Sequence, residues 1–102
     1  VRGDGMAIEY KENELYQEIE LFHDGIKIGE AEVDVNGKML SRLNIYEPHQ
    51  GNGYGTEVVR ELTEQYGLID LWVNADNARA IHVYEKCGYK IKEPTMYRMV
   101  RE

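Results

Sequence analysis

The stretch HQGNGYGTEVVRELTEQYG, His49 to Gly67, sets a comb of three alternating glycines at the mouth of a helix pattern. Val58, Val59, Leu62 and Tyr66 recur at three- and four-residue steps, which places an amphipathic helix at about residues 55–66. Gly67 suits the left-handed position where helices stop. The first turn of a helix leaves N–H groups without carbonyl partners and carries partial positive charge. Glycines ahead of it let the backbone bend until those groups converge and an anion can come close. The comb is therefore a candidate phosphate cradle. The plainer alternative is a tight turn that needs glycine for geometry alone.

The pattern on either side decides the fold class. Upstream, residues 15–23 alternate as a strand, with Leu15, Ile19 and Leu21 in one phase. Asp24-Gly25 signals a hairpin turn, and residues 26–35 form the next strand. Its apolar phase slips at Gly29-Glu30, where a β-bulge is expected. Asn36-Gly37 signals a second hairpin into residues 38–46, with Met39, Ser41, Leu43 and Ile45 on one face. Downstream, residues 68–73 (LIDLWV) read as a compact buried strand, with Trp72 in the core. Asp76 or Asn77 caps a second helix running to residue 87, stopped by Gly88. Two short strands, 89–93 and 96–101, close the chain around Pro94-Thr95. The order β-β-β-α-β-α-β-β, with an extra strand at Met6 to Tyr10 as an option, predicts one α+β domain over residues 1–102. Its sheet is mixed and mostly antiparallel, with two helices. The strands at 38–46 and 68–73 should be parallel neighbours.

Composition narrows the function. The chain has 102 residues, 42% of them hydrophobic and 30% charged, with a formal net charge of −7. An acidic chain without a Lys/Arg cluster is a poor match for nucleic acid. No apolar run approaches the roughly 18–20 residues of a membrane span, and the polar start VRGDGMAIEYKENELYQ does not read as a signal peptide. Met6 is an alternative start, with residues 1–5 as a leader. One cysteine, Cys87, leaves no intrachain disulfide and points to a reducing cytoplasm. His23, His49 and His82 stand singly, so no metal site is expected. His49 and His82 read as surface residues, and Glu30, Glu32 and Asp34 as a solvated strand face that could also meet a cationic acceptor.

Two familiar glycine motifs do not fit the comb. A P-loop needs a Lys after its last glycine, and none is present. A dinucleotide fingerprint needs GxGxxG, whereas the third glycine, Gly55, comes one place early. A third motif does fit. Gln50-Gly51-Asn52-Gly53-Tyr54-Gly55 matches Q/R-x-x-G-x-G/A, which resembles the acetyl-coenzyme A loop of the GCN5-related N-acetyltransferase (GNAT) superfamily. Leu43-Asn44-Ile45-Tyr46-Glu47-Pro48 resembles the strand that precedes that loop. Asn77, Ala80, Ile81, Tyr84, Glu85, Lys86 and Gly88 coincide with the family's N-x-x-A-I-x-x-Y-E-K-x-G-F signature, with Tyr89 in place of Phe. The close match covers about residues 39–101.

The resemblance implies an N-acetyltransferase that uses acetyl-CoA. Leu43 and Ile45 would pair by backbone with the pantetheine arm. Gln50 opens the loop, and amides from Gly51 through Asn52, Gly53, Tyr54 and Gly55 to Thr56 would hold the pyrophosphate. Asn77 would reach the cofactor from the second helix. Tyr84 would protonate the departing thiolate, a role open to a phenol whose pKa of about 10 is close to that of an alkyl thiol. The acceptor would be an amine on a small molecule or a protein. Only about 14 residues precede the first clear strand, so the family's opening strand and two helices are expected to be missing. Such a loss should uncover apolar sheet surface and favour a homodimer. The alternatives to an enzyme are a coenzyme A-binding module without catalysis and an interaction domain that reuses the groove.

Overall fold

A computed structural model describes residues 7–13, 17–92 and 96–101. The elements run β1 (Ile8–Asn13), β2 (Glu18–His23), β3 (Ile26–Asp34), β4 (Met39–Ile45), a 3-10 turn (Glu47–His49), α1 (Tyr54–Tyr66), β5 (Asp70–Asn74), α2 (Ala78–Lys86), β6 (Tyr89–Ile91) and β7 (Met96–Arg101). The α+β order is the expected one, and the optional first strand is present as β1. All seven strands join one sheet in the order β1-β2-β3-β4-β5-β7-β6. Leu15, Pro94 and Thr95 lie outside the described residues.

Local sequence explains the hairpins. Asp24 and Gly25 both adopt positive φ, 53° and 77°, and link β2 to β3 in two residues. The second hairpin differs from its Asn36-Gly37 signal. Its turn spans Val35 to Lys38, the left-handed residue is Lys38 at φ 53°, and the Asp34 carboxylate accepts from the Gly37 N–H at 3.0 Å. That Asx contact offers the backbone a longer turn than a two-residue one.

Two bulges set which side chains face inward. Leu21 pairs with Gly29 and Phe22 with Lys27, so Ile28 is the extra residue on β3. Ile28 and Gly29 are consecutively buried, one residue earlier than the expected slip. On β4, Val33 pairs with Leu40 and Glu32 with Arg42, leaving Ser41 as the extra residue. Leu40 therefore points inward while Ser41 is exposed, which corrects the single face drawn through Met39, Ser41, Leu43 and Ile45.

The inward face carries Ile19, Leu21, Ala31, Val33, Leu40, Leu71 and Met99, packed against Val58, Val59 and Leu62 of α1 and Ile81 of α2. Each fully buried aliphatic side chain contributes about 1.5–3 kcal/mol. β5 is buried on one side only. Leu71 and Val73 are inward, whereas Trp72 is 46% exposed and does not belong to the core. The opposite face of β2 to β4 is charged. Lys27 bridges Glu20 and Glu30 at 3.0 and 3.6 Å, and Arg42 bridges Glu30 and Glu32 at 3.1 and 3.7 Å. The solvated acidic face is thus an ion-pair lattice.

One feature of the sheet positions the site. β4 and β5 are its parallel pair, and their register covers only Met39 with Asp70 and Leu40 with Leu71. Beyond Leu40 the two strands separate, and α1 and α2 flank the gap.

Candidate active site

The gap opens into a cleft of about 520 Å³ bounded by the end of β4, the loop after it, the first turn of α1 and one side of α2. On β4, the Tyr46 N–H donates to the Ile28 carbonyl of β3 at 2.9 Å. Backbone groups alternate sides along a strand, so the N–H and carbonyl of Ile45 and Leu43 face the opposite edge, where β5 has left. That edge offers an extended ligand a strand-like set of hydrogen bonds.

The loop is folded by its glycines. Gly51 and Gly53 sit at φ 84° and 82°, in the left-handed region that side chains resist. Gly53 is the N-cap of α1, and the first intrahelical bond runs from the Glu57 N–H to its carbonyl at 3.2 Å. The amides of Tyr54, Gly55 and Thr56 precede that bond and lie at the positive end of the helix. Gly55 has ordinary helical backbone, and a Cβ there would meet nothing within 4 Å. Neither backbone strain nor protein packing demands glycine at this position. Glycine inside a helix costs about 1 kcal/mol against alanine. The space it leaves opens on the cleft, which fits a ligand that approaches the backbone closely.

Of the residues expected at the site, Leu43, Ile45, Gln50, Gly51, Gly53 and Tyr54 line this cleft. Gly55, Thr56, Asn77 and Tyr84 line it as well. Asn52 does not: its side chain turns back and donates to the His49 carbonyl at 3.0 Å. Gln50 is spent inside the protein. It donates to the Ile45 carbonyl at 2.8 Å and accepts from the Arg79 guanidinium at 3.3 Å, tying β4 to α2. Tyr54 lines the cleft with its ring also against His23, its hydroxyl 3.3 Å from Nδ1. Asn77 caps α2, its side-chain oxygen accepting from the Ala80 N–H at 3.2 Å.

Tyr84 lies on the inner side of α2, edge-on to Tyr89 at 6.4 Å between ring centroids. Burial, with the neighbouring Tyr89 and Cys87, raises its pKa above the ordinary 10.0. The phenol therefore keeps its proton across the neutral range. Cys87 is half-buried, its thiol directed at the Thr56 carbonyl at 3.7 Å and its pKa raised chiefly by burial. It packs α2 against the start of α1.

Three basic side chains in the lining were not read as site residues: Arg79, His82 and Lys86. His49 joins them from the loop. A signal for Arg79 did exist. A cation in the first turn of a helix opposes the helix dipole, so it calls for a compensating partner or ligand.

A family model described as "Acetyltransferase (GNAT) family" matches residues 7–89. The chain belongs to this acetyltransferase family. Acetyl-CoA is the family's cofactor. No curated protein sequence matches the chain. Among solved structures, the PaiA N-acetyltransferase of Thermoplasma acidophilum, in complex with coenzyme A, aligns with a TM-score of 0.71 at 20% identity. The alignment covers 83% of this GNAT chain and 59% of that one. Spermidine N-acetyltransferase of Vibrio cholerae, with CoA and spermine, gives 0.65 at 18% identity, covering 80% and 62%. Arabidopsis thaliana Naa50, with the bisubstrate analogue CoA-Ac-MVNAL, gives 0.67 at 18%, covering 85% and 73%. At such identities the likeness is one of fold.

Proposed function

We propose that this GNAT-family chain is an acetyl-CoA-dependent N-acetyltransferase that transfers acetyl directly to an amine on a small molecule or a protein. The observation that carries the reading is one cleft lined together by the edge of β4, the first turn of α1 and Tyr84 of α2. Acetyl-CoA supplies an acyl group activated as a thioester. The amides from Gly51 to Thr56 hold its pyrophosphate, and the edge of β4 that β5 has left, at Leu43 and the Ile45 N–H, holds its amide-bearing arm. The Ile45 N–H donates to the carbonyl oxygen as negative charge builds there. Tyr84 holds the proton that the sulfur takes as it leaves, and its raised pKa keeps that proton available. The acceptor must arrive as a neutral amine. Among the described residues no Asp or Glu lines the cleft, so this proton passes to an ordered water or to His49.

That same lack of a carboxylate favours the second reading, a coenzyme A-binding module without turnover. One experiment separates the two. Thermal shift with acetyl-CoA, coenzyme A and NADH is followed by thiol release from acetyl-CoA over a panel of amines. The proposal expects stabilisation by the two coenzyme A species but not by NADH, and amine-dependent thiol release. Stabilisation without release from any amine would leave the binding module; no stabilisation would reduce the glycine loop to a turn.

A further inference from the structure

The charge of the cleft runs against the charge of the chain. Asp and Glu number 19 against 12 Lys and Arg, yet among the described residues the cleft is lined by Arg79, Lys86, His49 and His82 and by no carboxylate. Arg79, His82 and Lys86 follow one another at three- and four-residue steps, so they form a row along one side of α2. Over seven residues that row extends about 10 Å. It runs beside the amide cradle from end to end. Arg79 reaches the Gly51 end, where its Nη2 lies 3.7 Å from the position of a Cβ on Gly51. At the other end Cys87, next to Lys86, contacts the Thr56 carbonyl. Arg79 is also oriented, because the Gln50 carboxamide that accepts from it is itself anchored on Ile45.

A pyrophosphate diester carries two charges, and the amides of a glycine loop and helix N-terminus already suit them. The row on α2 is cationic capacity beyond that need. A phosphate monoester brings a further charge of about −1.5 to −2 near pH 7. Coenzyme A carries such a group on its ribose, one sugar away from the pyrophosphate. We infer that the Arg79–His82–Lys86 row binds the 3′-phosphate and makes this protein select coenzyme A over its 3′-dephospho form. The inference rests on the cofactor reading above and adds a specificity that this reading does not require.

Isothermal titration with coenzyme A and with 3′-dephospho-coenzyme A tests it without any acceptor or turnover. Charge-assisted contacts of this kind set the expected preference for coenzyme A at roughly tenfold or more. The preference should shrink as salt is raised, since all three side chains are solvent-exposed. The double variant Arg79→Met/Lys86→Met should bring the two affinities to within about twofold of each other by weakening coenzyme A. Both residues are on the surface, so a thermal melt like that of the unaltered chain will show that the fold is kept. Equal affinities in the unaltered protein, or a preference that survives the double variant, would overturn the inference while leaving the cofactor reading intact. Binding of neither ligand would overturn both.

Discussion

Tyr84 shows how much a single residue owes to its surroundings. A tyrosine on the apolar side of a short helix is ordinary core material, and this one does pack edge-on against Tyr89. What sets it apart is that it also lines the cleft, with a phenol held protonated by burial. Replacing Tyr84 by Phe removes one oxygen and leaves the ring contacts in place. The expected result is a fall in kcat of about 10²-fold or more, the usual scale of a lost general acid, with the KM for acetyl-CoA nearly unchanged. Steady-state kinetics with a reactive amine would check this, and an unchanged kcat would remove Tyr84 from the chemistry. The motif residues were legible because their types are needed at fixed spacing: glycines in the loop, a capping Asn77, an aromatic at 84. His82 was not legible, and Arg79 gave only the faint signal of a cation in the first turn of α2. An exposed charged side chain on a helix looks the same in sequence whether it meets water or a cleft. Only the position of α2 across the glycine loop, fixed by contacts such as Cys87 with Thr56, shows which side they are on.

At the scale of elements, the hairpins and both helices were legible because turn chemistry and apolar period are local signals. The bulges were harder, since they depend on which residue of one strand meets which of its neighbour. Gly29 illustrates the difference. Its φ is unremarkable, so nothing in its own backbone calls for glycine. Yet a Cβ there would stand 2.2 Å from the Asn44 carbonyl oxygen and 3.0 Å from the Ile45 Cα. Glycine is required by the close approach of β4, a fact about a partner strand 15 positions away. That approach also fixes where the open edge at Ile45 sits. Gly29→Ala should therefore cost about 1–3 kcal/mol, the range for overpacking, and should weaken coenzyme A binding along with stability. Urea denaturation and titration calorimetry would measure both effects. Lost stability with unchanged affinity would mean that β4 yields elsewhere and that its edge is not held by this contact. Trp72 failed for a related reason. LIDLWV is apolar enough for a strand buried on both faces, but the two helices share one face of the sheet, and β5 turns Trp72 to the other.

At the scale of the molecule, stability is bounded by pH from both sides. On the acid side, Arg42 holds the Glu30 carboxyl below its ordinary 4.5, by a hydrogen bond before all else. Its contribution is present above pH 4.5 and fades as pH falls through the lowered value. Glu30 is partly exposed and solvent screens its pair with Arg42, so this limb is shallow. The alkaline limb should be the steeper one. Tyr84 and Tyr89 both have pKa values raised above 10.0, chiefly by burial. Tyr89 is 1% exposed, with its hydroxyl 2.8 Å from that of Thr63. Between pH 10 and the raised values the unfolded chain loses tyrosine protons that the folded chain keeps. Stability then falls with rising pH, because the unfolded state binds fewer protons. The net charge of −7 adds self-repulsion in the same direction. The midpoint of thermal unfolding should hence stay nearly level from neutral pH to about 9 and drop through pH 10 to 11. Tyr84→Phe should make that drop shallower, since one of the two protons no longer takes part. An alkaline limb of equal steepness in the variant would show that Tyr84 titrates as it does in water. The phenol would then no longer be the buried acid that the proposed transfer needs.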